Sequence, residues 1–84
     1  MPSGTFHYVY ILVSEAHPRR HHTGCTTDIV KRLAKHNSGR VKHTAKHGPW
    51  RMGTVVRFVS RAKARAFETY LKSGSGREFA RRHF

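Results

Sequence analysis

The chain has 84 residues, the length of one compact domain, and a domain of this size buries only about 60% of the surface its unfolded chain exposes, which excludes a second core. Lys and Arg number 17 against 4 Asp and Glu, a formal charge of +13 before any of the eight His takes up a proton, so the expected partner is a polyanion. An apolar content of 37%, with one Trp, three Tyr and five Phe, supports a folded core and excludes reading the charge as a sign of disorder.

Charge alone does not separate an enzyme from a protein that coats nucleic acid, because counterion release counts phosphates and carries no sequence information. Cys25 is the only cysteine, which excludes an intramolecular disulfide, and the N-terminal residues lack the order of a secretion signal, so the cytoplasm is the expected compartment. No apolar run approaches the ~20 residues that span a bilayer, and no membrane is expected as a partner.

After a short leader, Met1 to Thr5, the stretch FHYVYILV from Phe6 to Val13 is dense in aromatic and β-branched residues and apolar at both phases of the two-residue period. This predicts a central strand covered on both faces. The polar loop Ser14 to Arg20 and the β-prone HHTGCT that follows complete a hairpin. A helix is predicted over Asp28 to His36, with Thr27 as N-cap, Ile29, Val30, Leu33 and Ala34 on its inner stripe, and Asn37 to Gly39 as the stop. Arg40 to Pro49 has no apolar period and reads as a basic loop, in which Arg40, Lys42 and Lys46 are interspersed with His43 and His47.

Met52 to Val59 predicts a third strand, with Gly53 marking a bulge or a close backbone approach. Ser60 then caps a second helix, Arg61 to about Lys72, with Ala64, Phe67, Tyr70 and Leu71 inward. The Gly74-Ser75-Gly76 run breaks it before a last short helix, at whose start Ser75 and Glu78 have capping-box spacing. The expectation is a single α/β domain over residues 1–84: a small three-stranded sheet, mixed or antiparallel, flanked by two to three helices.

Hydrolysis of a phosphodiester needs a group that activates water, a cation beside the phosphoryl oxygens and something that stabilises the leaving oxygen. Four acids are few enough to take one at a time. Glu15 lies in a loop, Asp28 suits a first helical turn, and Glu78 completes a capping box, so Glu68 alone has no terminal role. Its spacing fits an ion pair with Lys72 or Arg65, worth about 0.2–0.5 kcal/mol on an exposed helix, better than it fits a metal. A metal on one carboxylate would draw its other ligands from water and phosphate, as magnesium tolerates. Arg32 and His36, four apart, share a helix face away from Ile29 and Leu33, by itself an ordinary solvated face. Tyr8 and Tyr10 project to one face of the first strand, as core or at a cleft.

Their combination in order resembles the GIY-YIG nuclease family, and within it small stand-alone bacterial proteins similar to the nuclease module of the excision-repair incision subunit. The first signature half appears as Tyr8-Val9-Tyr10 and the second as His22-Thr23-Gly24, followed by CTTDIVKRLAKHNSG, Pro49-Trp50, a third strand and ARAFETYLKSGSGREF. The resemblance covers nearly the whole chain. It implies an endonuclease dependent on Mg2+ or Mn2+ and acting on DNA, and leaves its task open among repair, mobile-element defence and the processing of branched DNA. By it, Tyr10 contacts or deprotonates the attacking water, Arg32 stabilises the phosphoryl transition state, Glu68 binds the divalent ion, and His36 stands beside the active site.

His22 departs from the family, which usually has a tyrosine there. A neutral imidazole is a better base near pH 7 than a phenol with an unperturbed pKa of ~10, so His22 either takes up the base role or only hydrogen-bonds in place of the phenol. Gly24 is expected at the floor of the cleft, where a Cβ would stand between strand and substrate, or at a plain tight strand end. The rival reading is a basic module that holds nucleic acid through Arg40, Lys42, Lys46 and Arg51 without cutting it. Structural zinc at His43 and His47 is set aside, for want of a helix or a CxxC there. A homodimer, or a larger partner that selects the site, fits so small a domain equally well.

Overall fold

The computed structural model describes residues 5–84, so the expected leader lies outside the described residues except for Thr5. Strands β1 (His7–Ser14) and β2 (His21–Thr26) are followed by helix α1 (Ile29–Asn37), a 3-10 turn at Ala45–His47, strand β3 (Trp50–Phe58) and helices α2 (Arg61–Leu71) and α3 (Gly74–His83). The sheet has the order β2-β1-β3 and both pairings are antiparallel, which settles the choice the sequence left open. Ser14, expected in the loop, is the buried last residue of β1.

The doubly apolar pattern of β1 has the predicted cause: it is the central strand, and Val9, Tyr10, Ile11 and Leu12 are all buried. Successive side chains alternate between faces, so the two sets build separate cores. Val9 and Ile11 pack with Ala64 and Leu71 of α2, flanked by Phe58, Phe67 and Phe79. Tyr10 and Leu12 pack with Trp50 on the other face, flanked by Ile29, Leu33 and Met52. The register of β1 with β3 passes from Ile11 opposite Thr54 to Leu12 opposite Met52, so Gly53 is the extra residue of a bulge. A Cβ at Gly53 would stand 2.6 Å from Val13 Cγ2 and 3.3 Å from the Ile11 carbonyl, which explains glycine there.

Two of the three helix starts differ in detail from expectation. Asp28 rather than Thr27 caps α1, its carboxylate accepting from the Lys31 amide at 3.0 Å, while the Thr26 hydroxyl accepts from the Asp28 amide. Ser60 caps α2 as predicted. Ser73 caps α3, its hydroxyl accepting from Gly76 N at 3.1 Å, so the Gly-Ser-Gly run forms the first turn of the helix instead of preceding it. Glu78 is therefore no capping-box member and pairs with Arg81 and Arg82. Tyr70, expected inward, is exposed, because the buried stripe of α2 runs through Ala64 and Leu71.

The loop between α1 and β3 is more ordered than its basic composition suggested. Thr44 in its middle is fully buried. The indole Nε1 of Trp50 donates to the Thr44 carbonyl at 2.8 Å, and the Ser14 hydroxyl donates to the His47 carbonyl at 2.6 Å. Asn37 does more than end α1: its side chain accepts from Trp50 N at 2.6 Å and donates to Trp50 O at 3.0 Å, tying the helix end to the first residue of β3. Asn37→Ala would leave both backbone groups of a buried residue without partners and is expected to cost about 1–3 kcal/mol, read as a shift of the urea midpoint at unchanged slope.

Candidate active site

Tyr10 is 1% exposed, and its ring crosses to β2 at its register partner Gly24. A Cβ at Gly24 would fall inside the van der Waals envelope of the Tyr10 hydroxyl oxygen and of the ring carbon bearing it. Glycine is required there because it admits the phenol. Tyr8, on the same face two residues earlier, is partly buried and makes no hydrogen bond with the site.

A buried hydroxyl needs partners, and α1 supplies two. Arg32 Nη1 donates to the Tyr10 oxygen at 3.3 Å and to the Cys25 carbonyl at 3.4 Å, and His36 Nε2 lies 2.9 Å from the Tyr10 oxygen. The face carrying Arg32 and His36 is thus not the solvated one the spacing suggested. It turns to the sheet together with Ile29 and Leu33, and His36 is 3% exposed. Val30 and Ala34, assigned to the inner stripe, are the exposed residues, Val30 at 79%.

The proton positions follow from the donors. Thr44 Oγ1 donates to the Val41 carbonyl at 3.4 Å and so accepts from His36 Nδ1 at 2.9 Å. That leaves His36 Nε2 as an acceptor for the Tyr10 hydroxyl, whose oxygen accepts in turn from Arg32. The chain runs Arg32, Tyr10, His36, Thr44, Val41 with every hydrogen bond pointing the same way, and it requires a neutral imidazole. Burial, with His22, Arg32 and Lys35 adding repulsion, pushes His36 down to about 4. Burial also raises the Tyr10 pKa, against the lowering effect of Arg32, so the phenol stays protonated at neutral pH.

His22 is partly exposed, with its ring centroid 4.9 Å from that of His36 and 6.5 Å from that of Tyr10. Burial lowers its pKa, as do Lys72, His43 and Arg32, so it too is neutral at pH 7. The ring borders a hollow of about 570 Å3 lined also by Arg19, Arg20, His43, His47 and Trp50. Among the predicted residues, the structure brings Tyr10, His22, Arg32 and His36 together. Arg40, Lys42 and Lys46 lie exposed on the α1–β3 connection, whereas Arg51 opposes Val13 and so faces the other side of the sheet.

Glu68 comes from α2, the layer behind the sheet, on the same helix face as Ala64 and Leu71. Its side chain is 18% exposed and its carboxylate accepts from Lys72 Nζ at 3.1 Å, so the ion pair foreseen from spacing is formed. It makes no hydrogen bond to the other four side chains, but its charge bears on Tyr10, His22 and Cys25. The meeting point is the edge strand β2: the Tyr10 hydroxyl lies over Gly24, and Arg32 holds the carbonyl of Cys25, whose thiol feels Glu68. Among the described residues no group of three or more His, Cys, Asp or Glu could hold a metal, so an ion on Glu68 would depend on water and phosphate for its remaining ligands. Thr44 and Asn37 were missed as site residues. Nothing in the sequence marks Thr44, while Asn37 was read as a helix stop.

Residues 6–81 match the GIY-YIG catalytic domain, and the chain belongs to that family. It is 40% identical over 73 residues to the UPF0213 protein BH0048 of Halalkalibacterium halodurans, covering 86% of this chain and 76% of that one. The solution NMR structure of the UPF0213 protein BH0048 from Bacillus halodurans aligns with a TM-score of 0.55 at 36% identity, covering 90% of this chain and 80% of that one. The structure-specific endonuclease subunit SLX1 of Meyerozyma guilliermondii is 38% identical over 77 residues, 83% of this chain but only 26% of the yeast protein.

Two outcomes test this geometry. Gly24→Ala is expected to displace the Tyr10 ring at a cost of about 1–3 kcal/mol, seen as a lowered thermal midpoint. The neutral state of His36 stabilises the fold above pH 6.5, and the contribution is lost as pH falls from 6.5 toward about 4, where the unfolded imidazole binds a proton and the folded one does not. Chemical denaturation across that range should show a shallower acid decline for His36→Gln than for the wild type.

Proposed function

We propose that this protein is an endonuclease that hydrolyses DNA phosphodiester bonds with the help of Mg2+ or Mn2+, in repair or in the processing of branched DNA, within the cytoplasm. The observation that carries the reading is the buried Tyr10–Arg32–His36 chain beside an accessible neutral imidazole, in a chain of the GIY-YIG family. The similarity to proteins named structure-specific endonuclease subunits supports DNA as the substrate. Their designation as subunits favours a larger site-selecting partner over a homodimer. The formal charge of +13 supplies attraction to any polyanion, but phosphate binding alone has no use for a mostly covered carboxylate amid positive charge.

Each side chain has a task that follows from its surroundings. Tyr10 is too buried and too firmly protonated to take the water's proton itself. Its hydroxyl, anchored on His36, holds the Arg32 guanidinium in place. Arg32 has five N–H donors and spends donor capacity of one nitrogen on Tyr10 and Cys25, which leaves the rest of the fork for the non-bridging phosphoryl oxygens. His22, neutral and open to the hollow, takes the proton from the attacking water. Glu68 would hold the divalent ion once Lys72 yields, and the ion, when bound, supplies Lewis-acid stabilisation to the departing oxygen.

Nicking of supercoiled DNA with and without Mg2+ or Mn2+ tests the whole reading. Arg32→Ala and Glu68→Ala should each lose about 10²–10³-fold in cleavage while retaining most of the DNA affinity. The absence of metal-dependent product from the wild type would leave a non-catalytic binding module instead. Because burial and nearby cations lower the His22 pKa below 6.5, the rate should fall only as pH drops under that value, and the acid limb should vanish in His22→Gln. An unchanged limb in that variant would remove His22 from the base role.

A further inference from the structure

On the side of the sheet away from α1 there is a larger hollow, of about 710 Å3, that the chemistry above does not use. Its floor is apolar, made by Ile11 and Val13 of β1 and Leu71 of α2. Its walls are cationic: Arg19 from the β1–β2 loop, Arg51 from β3 and Arg77 from α3. Residues 77, 80, 81 and 84 follow helical spacing, so α3 turns one face to this hollow, ending at Phe84, a half-exposed ring set edge-on to Phe79 at 5.4 Å. Arg81 on that face is already paired with Glu78, whereas Arg19, Arg51 and Arg77 make no ion pair among the described residues.

This hollow begins where the candidate active site ends. His22 and Lys72 line it, the first bordering the smaller hollow as well and the second holding Glu68. Arg19 and His21 also line both. Since β2 is an edge strand, the two hollows form a cationic path around it from one face of the sheet to the other.

We propose that the hollow between the sheet and α3 is a subsite for an unpaired nucleic-acid strand running away from the scissile phosphate, with its phosphates on Arg51 and Arg77 and a base against the apolar floor and Phe84. An intact duplex offers a surface of sugar and phosphate and has no use for an apolar floor. A single strand presents base faces, and sites for it combine a cationic groove with an aromatic side chain. The volume agrees, since pockets of about 300–1,000 Å3 take a drug-sized molecule and not the flank of a helix. The inference rests on the nuclease reading only in taking the ligand to be a nucleic acid.

The test is fluorescence anisotropy in EDTA, with a labelled oligo(dT) and a blunt duplex of equal length as probes and the full chain as the protein. The double variant Arg51→Gln/Arg77→Gln should bind oligo(dT) about tenfold more weakly, with stacking still in place. Its log K against log salt should flatten by about 1.4, the counterion release of two single-strand phosphates. Duplex affinity should change less than about twofold on the same reasoning. Phe84→Ala should weaken oligo(dT) binding alone. Both variants alter exposed side chains, and circular dichroism confirms their folding; as a second measurement, photo-crosslinking of an iodouracil-containing strand to wild-type protein should map to α3. Equal losses for both probes, no loss for either, or crosslinks confined to the α1–β3 connection would overturn the subsite. No cutting with intact single-strand binding would sink the nuclease reading alone, and cutting with unaltered single-strand binding in the variants would sink this one alone.

Discussion

The site depends on a single constraint: a phenol hydroxyl buried on the α1 face of the sheet must be hydrogen-bonded. A buried hydroxyl without partners costs on the order of 1–3 kcal/mol, and Tyr10 is shielded from bulk solvent. Its partners come from one helix, Arg32 and His36 a turn apart, so satisfying the tyrosine docks α1 in a fixed rotation against the sheet. The same bonds aim the guanidinium. His36 is in turn held by Thr44, and Thr44 by Trp50, so the folded loop between α1 and β3 supports the site from behind.

Electrostatics then divides the labour. Burial, with nearby cations adding repulsion, keeps the His36 and His22 imidazoles neutral, because protonation there would place a charge in a poorly solvated spot beside charges of the same sign. Neutral imidazoles can accept protons, which is what a hydrolytic site at pH 7 requires. The one carboxylate at the site is kept from becoming an unpaired buried charge by Lys72, four residues on.

Much of the fold was legible in the sequence because the signals were local. FHYVYILV, apolar on both phases, describes a strand with a core on each face, and Val9, Tyr10, Ile11 and Leu12 are all buried. Gly53 announced the bulge, since a bulged residue approaching Val13 and the Ile11 carbonyl has no room for a Cβ. Helix starts were less secure because several hydroxyl and carboxylate residues lie within reach of each N-terminus. Asp28 prevails over Thr27 when Thr26 holds its amide, and Ser73 prevails over Ser75 because the turn after Tyr70 places its hydroxyl at the free N–H of Gly76.

By itself the sequence determined the three strands and helices in order, the excess of positive charge, and the isolation of Glu68 among the acids, all properties of composition or short-range period. Only the tertiary structure decided that the face of α1 bearing Arg32 and His36 is buried, because hydrophobic periodicity counts both as polar and cannot register a tyrosine waiting across the gap. It also decided that Gly24 makes room for that tyrosine, that Thr44 belongs to the site, and that a cationic path runs around β2. Each of these joins residues far apart in the chain, where only the packing of elements sets which groups must satisfy one another.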